Sequence, residues 1–466
     1  MAALVIAVTL VACCDFSLGD DRPAPAARPN IIVILTDDHG WADLGVQGAD
    51  KHIRTPNVDQ LAREGVRFSR GYVTAPQCTP SRAGLITGRY QNKFGVEQNF
   101  DPMRSEVVTL PERLKAVGYT TGISGKWHLD SGGPKVNGEK VHDPALAPRH
   151  QGFDEYFTGT MQDYSASHAL DGKPYPDAPK GVTEKGCRVV LQTEWALQFL
   201  KRRAADSAKG KPFFLYLAYM APHLPPEFPK PWIDQVPQEL PRERRSALAL
   251  LAAIDDGVGR VRQQLKEMGQ SDNTLIFFLG DNGAPLGRVW DGSLNLPMRG
   301  QKGMLSEGGI RVPFVAAWPG KIPGGQLFEH SVISLDIAAT SLAAAGQPLA
   351  PELDGVNLLP YVTGEKKEAP HQTLYWRWVD QAAIQEFPYK LILLGRNQSL
   401  LFDITNPEGE HHTRELSAQQ PEIAKRLRAK LDLWLATLKR PGPPQALQRE
   451  GHFTGAEILP GKAKQE

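Results

Sequence analysis

Apolar runs that break sharply into polar residues recur along this 466-residue chain. Residues 31–35 read Ile-Ile-Val-Ile-Leu and stop abruptly at Asp37-Asp38-His39-Gly40. A continuous, β-branched run of this length predicts a strand buried on both faces, as in a parallel sheet. Residues 119–124 predict a shorter strand running into Gly125-Lys126-Trp127-His128. Residues 213–220 predict another, ending in Ala221-Pro222-His223, and 274–279 another, ending in Gly280-Asp281-Asn282-Gly283. Residues 312–318 return as a strand. Helical periodicity fills the gaps. It covers 57–64, 110–117 (opened by Pro111, closed by Gly118), 193–203, 246–268 and 335–345. Strands alternating with helices predict an α/β fold, a large mainly parallel sheet flanked by helices. Residues 130–185 are rich in Gly, Pro, Asp and His and predict a long functional loop. From residue 373 the texture changes. Residues 373–378, 382–387, 389–394 and 400–404 predict short strands, and 421–438 an amphipathic helix. That is a smaller C-terminal antiparallel sheet plus helix.

The stretch Pro76-Gln77-Cys78-Thr79-Pro80-Ser81-Arg82-Ala83-Gly84 predicts a helix start. Thr79 suits the N-cap and Pro80 the first helical position, and Gly88 can end the helix. Cys78 then lies just before a helix N-terminus, where free N–H groups favour an anion, and Arg82 adds a positive fork. A lone cysteine in this position is also readily a small buried residue. Composition changes the picture little. With 53 Lys+Arg against 52 Asp+Glu, the near-zero net charge gives no support for a nucleic-acid partner. The 44 glycines and 38 prolines suit a loop-rich enzyme rather than a helical bundle. The apolar run 2–12 is too short to span a membrane and reads as a secretory leader. The expected division is a leader at 1–19, a Pro- and Ala-rich tether at 20–29, a catalytic domain at 30–360 and a C-terminal subdomain at 361–466.

Four polar clusters each follow a buried strand. In open α/β sheets ligands bind beyond the carboxyl ends of the strands, so these clusters should meet on one edge. Asp37, Asp38, Asp281 and Asn282 offer only oxygen donors, which suits Ca²⁺ or Mg²⁺ rather than zinc. Asp-Asp-x-Gly and Asp-Asn-Gly are also ordinary turns. Two such turns at strand ends, both followed by glycine, favour a metal site. Lys126 and His128 are two apart and share one side of an extended segment. His223 sits in rigid chain between Pro222 and Pro225. Arg82, Lys126, Lys302 and a divalent ion outweigh the three aspartates. Such a site should hold an anionic ester, and charge alone does not separate sulfate from phosphate. His39, His52, His142, His150, His168, His371, His411 and His412 are assigned to surface or pocket positions.

The pattern C-x-P-S-R at Cys78–Arg82, followed by Ala-Gly-Leu-Ile-Thr-Gly-Arg, resembles the sulfatase signature. In that family the cysteine is oxidised to a formylglycine aldehyde. Gly-Lys-Trp-His, Ala-Pro-His and Arg-Gly-Gln-Lys-Gly resemble the segments that carry catalytic residues in sulfatases. Glu307-Gly308-Gly309-Ile310-Arg311-Val312-Pro313 matches too, as does Leu401-Phe402-Asp403-Ile404 with Pro407-Glu408-Gly409-Glu410. From about residue 30 to about 410 the chain is similar to alkaline-phosphatase-like sulfatases of the arylsulfatase and N-acetylgalactosamine-6-sulfatase kind. One departure is Ala42, where Gly is common after Trp41.

The resemblance implies hydrolysis of a sulfate monoester, most simply on a sulfated carbohydrate. It implies a formylglycine at Cys78, made by a separate maturation enzyme. It also implies Ca²⁺, with Mg²⁺ as the alternative, held by Asp37, Asp38, Asp281, Asn282 and residue 78. Arg82 and Lys126 would hold the aldehyde hydrate and the sulfate. His223 and Lys302 would serve the leaving oxygen, and His128 would remove the proton that expels sulfate. A serine or thiol lacks the second hydroxyl of the hydrate. The segment with Asn99, Asp101, Asp163, Tyr164 and His168 reads equally as a sugar-contacting loop or as scaffold. Once Cys78 is converted, Cys187 has no intrachain partner, so no structural disulfide is expected. Leu10-Val11-Ala12-Cys13 resembles a bacterial lipobox, which implies export to the periplasm or cell surface, with Cys13 as a lipid anchor. The rival readings are a phosphodiester or phosphonate monoester hydrolase of the same superfamily, and a non-catalytic glycan-binding lipoprotein.

Overall fold

The structure, a computed structural model, describes residues 28–131, 142–287, 292–395, 398–406 and 408–439. The leader, Cys13, Cys14 and the tether up to residue 27 lie outside the described residues. The chain opens with β1 (Asn30–Asp37), α1 (Pro56–Glu64), β2 (Val66–Phe68), β3 (Gly71–Tyr72), α2 (Cys78–Thr87) and α3 (Leu110–Ala116). It continues with β4 (Thr120–Gly125), β5 (Glu155–Thr160), β6 (Asp163–Ala166), β7 (Lys180–Thr183), α4 (Arg188–Ser207), β8 (Phe213–Pro222), α5 (Arg242–Glu267) and β9 (Thr274–Gly280). Then come α6 (Glu307–Ile310), β10 (Phe314–Ala317), β11 (Gln326–Phe328), β12 (Val332–Ile333), α7 (Asp336–Ala344) and α8 (Leu359–Val362). The last elements are β13 (Leu374–Trp378), β14 (Gln381–Glu386), β15 (Tyr389–Leu394), β16 (Gln398–Asp403) and α9 (Pro421–Leu435).

Ten strands form one sheet in the order β11-β2-β10-β9-β1-β8-β4-β5-β6-β7. β1 runs parallel to both neighbours, β9 and β8, and β8 parallel to β4. The reason for the unbroken apolar run in β1 is visible in its two faces. Ile31, Val33 and Leu35 enter one core, with α2, α3 and α7. Ile32 and Ile34 enter the other, with α1, α4 and α5. Alternation along the strand therefore separates two apolar layers, not core from solvent. Antiparallel pairing occurs at β10 and at the edge, where β5, β6 and β7 pair in sequence.

That edge corrects the expected long loop over 130–185. β6 and β7 are four residues each; β6 buries Tyr164 and Ala166 on one face, and β7 is exposed apart from half-buried Val182. Two apolar positions in β6 and one in β7 are too few to make a period that reveals a strand. The start of α2 also differs from expectation. Cys78 is the first helical residue, and extended Gln77 is the N-cap, with no side-chain cap bond. The Thr79 hydroxyl is turned away, donating to the His128 carbonyl at 3.1 Å. Asn99 accepts the Thr79 N–H at 3.1 Å, so a side chain from a later loop supplies the cap. Gly88 ends the helix at φ 67°, as expected. α3 carries a full capping box between Thr109 and Glu112.

The C-terminal strands β13 to β16 form a four-stranded antiparallel sheet with two apolar faces. Ala382, Ile384, Leu391, Leu393 and Leu401 pack on Leu427 and Leu431 of α9. Trp376, Ala383, Ile392, Leu400 and Phe402 join the core that also holds α2 and α7. Buried polar ties cross the same boundary. Arg377 donates twice to Glu97, at 3.0 and 2.8 Å, and Trp376 Nε1 donates to the Val73 carbonyl at 2.7 Å. Two histidines assigned to surface or pocket positions belong to this framework. His39 is fully buried between the Thr36 hydroxyl and the Asp43 carbonyl, at 2.8 and 2.9 Å. His371 Nε2 meets both oxygens of Asp336 at 2.9 Å. Cys78 and Cys187 are free thiols. No helix among the described residues is long and apolar enough to cross a membrane.

Two predictions follow from these caps and ties. Burial lowers the His371 pKa, but Asp336 outweighs it and holds the pKa above the usual 6.5. Its contribution to stability is therefore full below pH 6.5 and lost as pH rises through the raised folded value. In urea unfolding, the stability gap between wild type and His371→Gln should narrow from pH 5.5 to 8.5; a constant gap sinks this assignment. Asn99→Ala removes the cap of α2 and should cost about 1 kcal/mol, read as a lowered melting temperature.

Candidate active site

The carboxyl ends of β9, β1, β8 and β4, four adjacent strands, bring Asp281, Asp37, His223 and Lys126 to one edge of the sheet. The first turn of α2 adds Cys78 and Arg82, and the segment before α6 adds Lys302. Consecutive residues of a strand point to opposite faces, yet both Asp37 and Asp38 serve this site. Asp38 makes that possible by leaving the strand in the left-handed region at φ 62°. Such backbone is uncommon for a non-glycine residue and is held here by the Asp38 N–H donating to Asp281 Oδ1 at 3.1 Å. His128, at φ 63°, turns the chain after Lys126 in the same way.

The cluster is dense and buried. One ligand atom from each of Asp37, Asp38, Cys78 and Asp281 lies within 4.8 Å of the others, and all four residues are buried. The Cys78 thiol lies 3.3 Å from Asp37 Oδ1 and 4.0 Å from Asp38 Oδ1. Arg82 donates from Nε and Nη2 to Asp281 Oδ2 at 2.9 and 2.8 Å, and from Nη1 to the Lys126 carbonyl at 2.9 Å. Lys126 Nζ reaches Asp37 Oδ2 at 2.7 Å. Lys302 Nζ lies 2.8 Å from Asp38 Oδ1 and 3.4 Å from the Cys78 sulfur. His223 Nε2 lies 3.6 Å from Asp38 Oδ2, while Nδ1 meets the Leu224 carbonyl at 2.7 Å.

Electrostatics follow from this packing. Burial pushes the Cys78 thiol well above its ordinary pKa, and Asp281 and Asp37 add to the effect. As a thiol it stays protonated and is a poor nucleophile. Burial opposes ionisation of Asp37, but Lys126, His223, Arg82 and Lys302 hold it well below the usual range. Burial and Asp37 push Asp281 up to about 6, against the pull of Arg82. Burial would lower Lys302, but the Asp38 carboxylate, with Asp37 adding, holds it well above its ordinary value. Burial lowers His128, with Lys126 and Arg82 adding, and burial also lowers His223. Both imidazoles are therefore neutral at pH 7 and able to accept a proton.

The donor set fits a hard divalent cation. Three carboxylates supply oxygen. Asn282 Nδ2 donates to Asp38 Oδ1 at 2.7 Å and to the Gly283 carbonyl at 2.9 Å. Its Oδ1 is buried with no hydrogen-bond partner. An orphaned carbonyl oxygen beside three carboxylates is the environment a Ca²⁺ or Mg²⁺ ion completes.

Nine sequence candidates thus lie in one cluster: Asp37, Asp38, Cys78, Arg82, Lys126, His223, Asp281, Asn282 and Lys302. His128 borders it, its carbonyl tied to Thr79 and its Nδ1 buried without a partner. Asn99 is adjacent, as the cap of α2. Asp163, Tyr164 and His168 make their contacts elsewhere. Asp163 accepts from Thr183 at 2.7 Å, the Tyr164 ring stacks on Phe157 at 4.0 Å, and His168 Nδ1 meets Ser167 at 2.9 Å. Asp101 accepts the Glu97 and Gln98 N–H groups at 2.8 Å, a turn contact. Sequence reasoning missed Asn295, whose side chain braces the Asp281 turn through both the N–H and the carbonyl of Ala284 at 2.9 Å. A lone Asn in an irregular segment carries no signal of that role.

Known proteins place this geometry. The sulfatase family model matches residues 29–347, and a model described as N-sulphoglucosamine sulphohydrolase, C-terminal, matches 300–435. Human N-acetylgalactosamine-6-sulfatase is 32% identical over 399 residues, covering 76% of this chain and 72% of that protein. Arylsulfatase A from Bos taurus is 32% identical over 433 residues, covering 86% and 81%. The crystal structure of Ps i-CgsB in complex with k-i-k-neocarrahexaose aligns with a TM-score of 0.76 at 31% identity, covering 89% of this chain and 94% of that one. Membership implies a formylglycine and a divalent metal, and the buried cluster around Cys78 is suited to both. With the family model and these relatives spanning most of its length, the chain belongs to the sulfatase family and is an enzyme that hydrolyses sulfate esters.

Proposed function

We propose that this sulfatase acts on a sulfated carbohydrate outside the cytoplasm, with a formylglycine at residue 78 and Ca²⁺ in the carboxylate cluster. The observation that carries the reading is the Cys78 side chain itself. It is buried between Asp37 at 3.3 Å and Lys302 at 3.4 Å, where a thiol is protonated but an oxygen nucleophile would be well placed. Asp37, Asp38, Asp281 and Asn282, with residue 78, would hold the ion, and an all-oxygen set favours calcium. When bound, the ion supplies Lewis-acid polarisation, and the formylglycine supplies the hydroxyl nucleophile.

The chain's own residues do the rest. Arg82 has its fork committed to Asp281 and to the backbone at Lys126, so it positions α2 against β4 and β9. Lys126 and Lys302 approach from opposite carboxylates and bring positive charge to the sulfate. The Leu224 carbonyl fixes the His223 proton on Nδ1 and turns the bare Nε2 toward the site beside the leaving oxygen, while the Lys302 ammonium, held charged, is the group that can pass a proton to that oxygen. His128, neutral and with an unpartnered Nδ1, is the base for proton removal. The sugar assignment is supported by the carbohydrate names of the human relative and of the Ps i-CgsB ligand. Export, with a lipid at Cys13, is supported by the apolar leader and lipobox-like sequence, and conversion of Cys78 calls for a maturation enzyme. We assign catalysis to residues 30–360 and a supporting subdomain to 361–466.

The test is sulfate release from a panel of sulfated oligosaccharides, with mass spectrometry of the peptide containing residue 78. Wild type should show the aldehyde and release sulfate, while Cys78→Ala should release none. Chelation should abolish release, and Ca²⁺ should restore it better than Mg²⁺. Near-wild-type release by Cys78→Ala would falsify the mechanism, and better rescue by Mg²⁺ would overturn the choice of metal.

A further inference from the structure

Lys302 is the only partly exposed residue between Gln301 and Ile310, and its ammonium stands over Cys78 and Asp38. The backbone that carries it is irregular, with φ 83° at Gly300 and φ 85° at Gly303. It has no strand or helix of its own to fix it. On one side the Gly303 N–H donates to the Pro76 carbonyl at 2.9 Å, next to the signature segment. On the other side stands the C-terminal sheet. Gln381, at the start of β14 and 5% exposed, donates from Nε2 to the Gly303 carbonyl at 3.0 Å. Its Oε1 accepts the Leu305 N–H at 3.1 Å. One side-chain amide thus satisfies a backbone acceptor and a backbone donor two residues apart, as a neighbouring strand would. A second anchor follows, where buried Lys390 of β15 meets Glu307 at 2.9 Å.

We propose that Gln381 is a positioning residue for catalysis. It clamps the backbone at 303–305 and so fixes the Lys302 ammonium over residue 78, making the C-terminal sheet a part of the active site. This rests on the reading of Lys302 as a group that acts on the sulfate ester. A side-chain amide offers, on one flat group, both the donor and the acceptor the clamp needs. A glutamate would face the Gly303 carbonyl with a second acceptor, and a leucine would leave both backbone groups unpaired.

The experiment is a double-mutant cycle on sulfate release, using Gln381→Leu, Lys302→Ala and the pair. Gln385→Leu serves as control, because Gln385 is equally buried in β14 but bonds Ser331 at 2.8 Å rather than the Lys302 segment. Gln381→Leu should lower kcat about 10- to 100-fold, as displacement of a catalytic group does. The same change on top of Lys302→Ala should cost little more, because the two act as one unit. Gln385→Leu should keep wild-type kcat. If Gln381→Leu melts below the assay temperature, Gln381→Asn, which keeps both functional groups one methylene short, takes its place with the same expected pattern. Full additivity with Lys302→Ala, or a Gln385→Leu loss as large as that of Gln381→Leu, overturns the proposal. Undiminished activity of Lys302→Ala overturns the reading of Lys302 instead, and absence of sulfate release by wild type overturns the substrate reading.

Discussion

Three buried carboxylates stand together, and the site depends on what offsets them. Isolated charges of this kind would cost several kcal/mol each to bury. Arg82, Lys126 and Lys302 meet Asp281, Asp37 and Asp38 respectively, at 2.7 to 2.8 Å. Each cation reaches the cluster from a different piece of chain: a helix, a strand end and an irregular segment. The electrostatic balance therefore couples these pieces to one another. A shift of any one leaves a buried carboxylate exposed to its like-charged neighbours, a penalty that sharpens the geometry of the whole.

How much of this was legible in the sequence differs by region, for physical reasons. β1 could be read because both its faces are apolar and its end is marked by two aspartates. The metal-type residues could be read because they follow buried strands, and the sheet aligns such ends on one edge. β6 and β7 could not, because strands of four residues with one or two apolar positions are too short to show a period. The N-cap of α2 was misplaced by two residues, at Thr79 instead of Gln77, because the capping side chain is Asn99, which no local rule connects to Thr79. His39 and His371 look like solvent residues in isolation, and only the fold shows the partners that bury them.

The C-terminal sheet presents the same lesson at larger scale. Its strands were expected from the short alternating runs and tight turns. Their inner face was not, because the pattern shows that a face is apolar but not what it covers. That face is continuous with the core around α2, and its polar residues, Arg377, Gln381 and Lys390, reach across to the catalytic half.

The separation in sequence between Cys78 and the lysine above it has a consequence for the order of events in the cell. The two are 224 residues apart. At synthesis rates of about 5–20 residues per second, Lys302 follows Cys78 by roughly ten to forty seconds. For that interval the pocket has no roof and no completed sheet edge, and residue 78 is carried on an unfinished chain. A side chain that ends among the least accessible in the molecule is, at its birth, open to solution chemistry.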